Sequence, residues 1–208
     1  MFSLFSASHS KAKTIGFSLV ELVVSIAIIV LVLSIVITQQ NGFNRSVLLR
    51  SQAYEIALTI RETQLSAVSA INAMSGGAED FRSVIGVHFD TTANFNQRYT
   101  VFLDEGSGFY ESGLGDIQMG VSGILDPRFE IGDIRLNGAS VASGQVSITF
   151  VRPNFDARFK TSALGALETS GVVEIDVVPT NGIGVGCPDD VRTIEITATG
   201  QVAVLKCP

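Results

Sequence analysis

The 208 residues include 14 Lys and Arg against 20 Asp and Glu, a formal charge of −6, and a chain of that sign is repelled by a phosphate backbone, which argues against nucleic acid as a partner. Charged residues make up only 16% while hydrophobic residues reach 46%, and much of that excess is gathered in one N-terminal run. The chain beyond the first 75 or so residues is long enough to bury a core of its own, so one globular domain plus an anchor accounts for the length.

Met1 to Gly16 contains Lys11 and Lys13 and no acidic residue, and it reads as a leader that takes no part in the fold. Phe17 to Thr38 then carries a single charge, Glu21. As a helix this stretch rises roughly 33 Å at about 1.5 Å per residue, enough to cross a hydrocarbon core of roughly 30 Å once. Ser25 and Ser34 can return their hydroxyl protons to backbone carbonyls and need not interrupt it. The next basic residue after the lysines is Arg45, so the N-terminus is expected on the cytoplasmic side and everything beyond the span outside. A secretory signal peptide is the competing reading. The run is too long for a signal core, and no small-x-small cleavage site stands after it near Thr38 to Gly42.

Glu21 is the chemical oddity, because a carboxylate carried into hydrocarbon is costly unless something neutralises it. Gly16 suggests the partner: a cut after it makes Phe17 a new N-terminus, whose ammonium can meet Glu21 of a neighbouring chain. The segment Gly16-Phe17-Ser18-Leu19-Val20-Glu21-Leu22, with lysines before it and an uncharged span after it, resembles the cleavage and methylation motif of type IV prepilins and type II secretion pseudopilins. Ser18 and Val20 stand where Thr and Ile are common in that family. The resemblance covers about Lys11 to Gln40. It implies removal of the leader after Gly16 by a prepilin peptidase, methylation of the Phe17 amine, and polymerisation with other pilin or pseudopilin subunits on an inner-membrane assembly platform. Loss of Lys11 and Lys13 would lower the formal charge from −6 to −8.

Past the span, Gly42 lowers helix stability by about 1 kcal/mol relative to Ala, and two readings stand, a tolerated helix glycine or a hinge. From Arg45 to Met74 the apolar positions Leu49, Ala53, Ile56, Ile60, Ala67 and Ile71 recur at steps of three and four, with Thr63 or Gln64 as the weak link. The polar face holds Arg50, Glu55, Arg61 and Glu62, and Gly76-Gly77 is expected to end the helix.

From Val84 the pattern changes to short β-prone runs between glycines: 84–89, 99–104, 129–136, 145–151, 172–178, 193–198 and 201–206. Alternation in Val146, Ile148, Phe150 and in Val173, Ile175, Val177 predicts strands with one face on the helix and one in water. Asn137-Gly138 and Thr199-Gly200 are turn signals, although the polar stretch Ala139 to Gly144 argues against a two-residue hairpin at the first. Glu105 to Gly123 reads as a Gly-rich loop with Phe109 and Tyr110 as candidates for burial, and Arg152 to Asp156 as a charged turn.

Outside the cytoplasm, Cys187 and Cys207 read first as a disulfide closing the last hairpin, a link that contributes about 3 kcal/mol through the unfolded state. The C-terminal position of the pair resembles that of many type IV pilins, while two free thiols or an intermolecular bridge stay open. Asp189 and Asp190 offer oxygen ligands that suit calcium, which some pseudopilin heads bind, but a solvated acidic turn is the favoured reading and no cofactor is expected. Gly182-Ile-Gly184-Val-Gly186 lacks the Lys-Ser/Thr ending of a phosphate loop. His88 is the one histidine beyond the leader, and a structural role suits it better than a catalytic one.

The expected architecture is therefore α+β and type IV pilin-like. It comprises a leader at 1–16, a transmembrane half of a long helix at 17–42, an amphipathic half at 43–75, and a β-rich extracytoplasmic head at 76–208 of antiparallel sheet with a C-terminal disulfide. Its expected activity is assembly, without catalysis, and its partners are the peptidase, other subunits, the assembly platform and membrane lipid. The rival is a bitopic membrane-anchored binding domain or enzyme that never polymerises, which needs neither a cut site at Gly16-Phe17 nor a carboxylate in its span.

Overall fold

A computed structural model describes residues 16–69, 84–113, 115–120, 123–151, 153–180 and 191–206, with the backbone alone described at 38–43. The fold is α+β. Helix α1 spans Leu19–Val68, and the chain divides into two compact units at Phe43/Asn44, which are taken separately.

In the first unit the helix begins where Leu22 N–H donates to the Ser18 carbonyl at 3.1 Å, which makes Ser18 the N-cap residue. Glu21 lies in the first turn, where a negative charge complements the helix dipole. Ser25 Oγ donates to the Glu21 carbonyl at 2.7 Å, the back-bonding that lets a serine sit within an apolar helix. Leu19–Ile37 has a mean hydropathy of 3.1 and none of it is buried within the chain, so this stretch is long and apolar enough to cross a membrane.

In the second unit the outer half of α1 buries Leu49, Ala53, Ile56, Ile60 and Ala67, the stripe expected from the sequence, and all five share one core with both sheets. Thr63 and Gln64 continue the buried stripe instead of breaking it. Thr63 Oγ1 satisfies itself on the Thr59 carbonyl at 2.8 Å. Gln64 Nε2 donates to the carbonyls of Phe155, at 2.7 Å, and Gly200, at 3.0 Å. The expected helix end at Gly76-Gly77, with Ile71, lies outside the described residues.

The strands in chain order are β1 (Val84–Asp90), β2 (Arg98–Asp104), β3 (Ile117–Gln118), β4 (Gly123–Ile124), β5 (Phe129–Leu136), β6 (Ala139–Ser140), β7 (Gln145–Phe150), β8 (Ala157–Lys160), β9 (Val172–Pro179), β10 (Arg192–Thr197) and β11 (Val202–Lys206). They form two sheets, ordered β3-β2-β1-β7-β8 with β4 also on β2, and β11-β10-β9-β5-β6. The pairings between these strands are antiparallel. All seven expected strands are present within a residue of their expected bounds. The short strands β3, β4, β6 and β8 were not legible as strands.

The second sheet has the simple pattern. Along β9, Val173, Ile175 and Val177 are buried while Glu174 and Asp176 are half-buried on the other face. There Arg135 pairs with both carboxylates, reaching Glu174 at 2.9 Å and gripping Asp176 with two nitrogens. A bulge between Ile131 and Asp133 lets both Ile131 and Ile134 face the core although three positions separate them.

The first sheet departs from the expectation of one wet face. Ile85, Val87 and Phe89 of β1 join the main core, yet Gly86, His88 and Asp90 on the opposite face are buried too. The reason is the segment from Glu105 to Asp116, expected only as a loop, which folds back over that face. Phe109 meets His88 edge-on at 5.3 Å, and Tyr110 packs on Phe102 at 5.2 Å.

A second difference lies at Asn137-Gly138, which does make a two-residue hairpin. Leu136 pairs with Ala139, and both turn residues have positive φ, 53° and 79°. The polar stretch after it supplies the return strand β6 and a further turn at 142–144, so its length does not preclude the hairpin.

Candidate functional site

Two regions carry chemistry of different kinds. The first is the segment before α1. Gly16, Phe17 and Ser18 are non-helical and exposed, with Phe17 at 76% exposure, so the Gly16–Phe17 peptide bond stands clear of regular structure. A Cβ placed on Gly16 would meet nothing within 4 Å, and its φ is not in the left-handed region. Among the described residues, therefore, nothing in the fold demands glycine there. Glu21 comes three residues after Ser18, the spacing of a capping box, so this carboxylate also suits the start of the helix.

The second region lies on the buried outer face of the first sheet. His88 on β1 and Ser147 on β7 are register partners, and this places Nδ1 of the imidazole 2.9 Å from Ser147 Oγ. The same oxygen accepts the Tyr110 N–H at 3.0 Å, so one hydroxyl ties strand, strand and covering segment together. Burial pushes the His88 pKa down to about 4, partly offset by the Asp90 carboxylate, and the ring is neutral at ordinary pH.

The covering segment is held by side chains at its ends. Asp116 accepts the backbone N–H groups of Glu105, at 3.2 Å, and Glu111, at 2.7 Å. Asp104 accepts the Gly108 N–H at 2.9 Å, and Lys160 Nζ donates to the Ser107 carbonyl at 2.7 Å. Gly86 makes room beneath, since a Cβ there would stand 2.9 Å from the Phe102 ring.

Between this segment and the β1–β2 turn lies a cleft of about 470 Å³, reached by His88, Asp90, Thr100 and Tyr110. Asp90 is already engaged, its two oxygens accepting the Thr92 N–H at 2.6 Å and Gln145 Nε2 at 2.8 Å. Phe109 and Tyr110 are legible in the sequence as candidates for burial, but a cleft made by a loop folding onto a sheet has no periodic signal. Gly86 inside a β-prone run is the one hint of close approach.

Cys187, Cys207, Asp189, Asp190 and Gly182 to Gly186 lie outside the described residues. Among the described residues no group of three or more His, Cys, Asp or Glu side chains is placed to hold a metal ion. Gly16, Phe17 and Glu21 belong to the first unit and the His88 cleft to the second. Compared with family models, with curated proteins and with solved structures, the chain matches none of them.

Proposed function

We propose that this chain is the precursor of a structural subunit, pilin or pseudopilin, of a type IV filament with a pilin-like fold. It is held in the inner membrane by its N-terminal helix with the head outside, cut after Gly16, methylated at Phe17 and polymerised through that helix. The carrying observation is the order Gly16-Phe17-Ser18-x-x-Glu21 at the mouth of a membrane-length helix. It is supported by the absence, among the described residues, of any steric or backbone reason for glycine at position 16.

In this reading Glu21 sets register. In a mature helix extended back to Phe17, its own amine would lie about a turn away and be poorly aimed at Glu21, whereas a subunit displaced along the filament axis can present its amine directly. Two charges that are each costly in a low-dielectric core then neutralise one another only at the correct axial offset. The reading is tested by the mature N-terminus. Mass spectrometry of protein from cells that hold a prepilin peptidase is expected to find N-methylated Phe17, and an intact leader would overturn the proposal. A membrane-anchored binding domain that never polymerises is the second reading, favoured by the cleft beside His88; it predicts an unprocessed anchor.

A further inference from the structure

We propose that the cleft beside His88 is a binding site for a neutral saccharide residue. The inference stands on the head alone and does not depend on filament assembly. Its volume of about 470 Å³ falls in the range of small-molecule sites, roughly 300–1,000 Å³. The hydroxyls of Thr92, Thr100 and Tyr110 make no hydrogen bond to another described residue, and His88 engages Nδ1 on Ser147, which leaves Nε2. Thr100 is largely buried and pairs with His88 across β1 and β2, so its hydroxyl is accessible only from the cleft, where a ligand or water can meet it. Hydroxyls both donate and accept, and several converging on one cleft match a ligand whose own groups are hydroxyls.

The apolar part of the lining agrees. Tyr110 from the covering segment and Phe95 from the β1–β2 turn give ring surface of the kind that packs on the C–H faces of a pyranose, and Phe95 is 51% exposed. Charge narrows the class further. Among the described residues the lining carries one cation, Arg98, which lies over the Phe95 ring at 5.3 Å, and one carboxylate, Asp90, whose oxygens are both engaged. With the imidazole neutral, the lining sums to zero, which suits neither a phosphate nor a cationic amine.

The cleft is also preorganised. The imidazole is oriented by Ser147, the Tyr110 backbone by the same hydroxyl, and the covering segment by Asp116. A ligand entering such a site has little left to order, which favours measurable affinity from few contacts.

The test uses the full chain in a detergent without a sugar headgroup, with the methyl glycosides of glucose, galactose, mannose and N-acetylglucosamine as probes. Saturation-transfer NMR at millimolar glycoside is expected to show transfer to at least one of the four. The same glycoside should shift the His88 ring-proton resonances. Thr100→Val combined with Tyr110→Phe keeps side-chain shape and removes two hydroxyls, and it is expected to weaken binding by about ten-fold or more at unchanged melting temperature. No transfer to any of the four overturns the proposal. So does equal binding by the variant, or binding that leaves the His88 ring protons unmoved, which would place the sugar elsewhere.

Discussion

The side-chain amide of Gln64, in the outer half of α1, donates to the Gly200 carbonyl at 3.0 Å and so fastens the helix to the turn between β10 and β11. The second proton of that amide goes to Phe155, in the link between β7 and β8, so one side chain joins the helix to both sheets. Gln64→Leu keeps the bulk and leaves two carbonyls without their donor. It is expected to cost about 1–3 kcal/mol, chiefly from the buried Gly200 carbonyl, since water can replace the donor at the part-buried Phe155 carbonyl. Gly200→Ala should cost at least as much, because φ there is +80° and a Cβ would fall on the Phe155 carbonyl. Urea unfolding of the full chain in micelles, monitored through the head, measures both. A loss under about 0.5 kcal/mol in either would show that the turn relaxes freely.

His88 predicts a pH dependence. In the unfolded chain the ring binds its proton at 6.5 and in the folded head near 4, so between these values the unfolded state holds more protons. Stability is then fully present above about 6.5 and falls as pH drops toward 4, by an amount on the order of 3 kcal/mol. His88→Gln retains a polar partner for Ser147 and removes the titration. The difference between wild-type and variant unfolding free energies should therefore change across pH 6.5 to 4. A constant difference would mean that the ring is protonated within the fold.

For the N-terminal segment, Gly16→Val should leave helix and head unchanged, since a Cβ at 16 meets no described residue, while leader removal stops. Glu21→Ala should be processed normally and be depleted in filaments when expressed with wild type. The ratio of the two in sheared filaments is the measurement, and equal incorporation would remove Glu21 from any role in register.

Gly86→Ala places a methyl 2.8 Å from the Ile148 carbonyl and 2.9 Å from the Phe102 ring. Displacing Phe102 removes the support under Tyr110, so about 1–3 kcal/mol of head stability is expected to go. Amide exchange in the segment 105–116 should accelerate more than exchange in β9. Uniform acceleration across both sheets would show that the segment is not separately anchored.

The expected link between Cys187 and Cys207 is open to direct chemistry. Protein isolated from the cell envelope should resist alkylation at both until reduced, and quantitative labelling without reductant would exclude the bridge.

Legibility in the sequence depended on repetition. The buried stripe from Leu49 to Ala67 and the alternation in β7 and β9 repeat at the period of their element, so their burial was legible. Gln64 reads as a weak link because a pattern of hydrophobes cannot show that two distant carbonyls will need an amide. The covering segment escaped for a related reason: Phe109, Tyr110 and Asp116 act through single contacts with His88, Ser147 and two backbone amides. Strands of two residues such as β3, β4 and β6 are too short to alternate.

Those short strands have a consequence for a protein whose heads would be crowded together. An open sheet margin is a template on which another chain can add, and here the margins are blunted. One side of the first sheet ends in the two-residue strands β3 and β4. Its other side ends in β8, where Glu168 exchanges both backbone hydrogen bonds with Phe159. The second sheet ends in two-residue β6 and in β11, where Arg61 Nη2 occupies the Val202 carbonyl at 3.2 Å and Lys206 closes the strand. Runaway strand addition between neighbouring heads is thereby discouraged, and among the described strands β11 is the longest margin, through which a destabilised head would be expected to aggregate first.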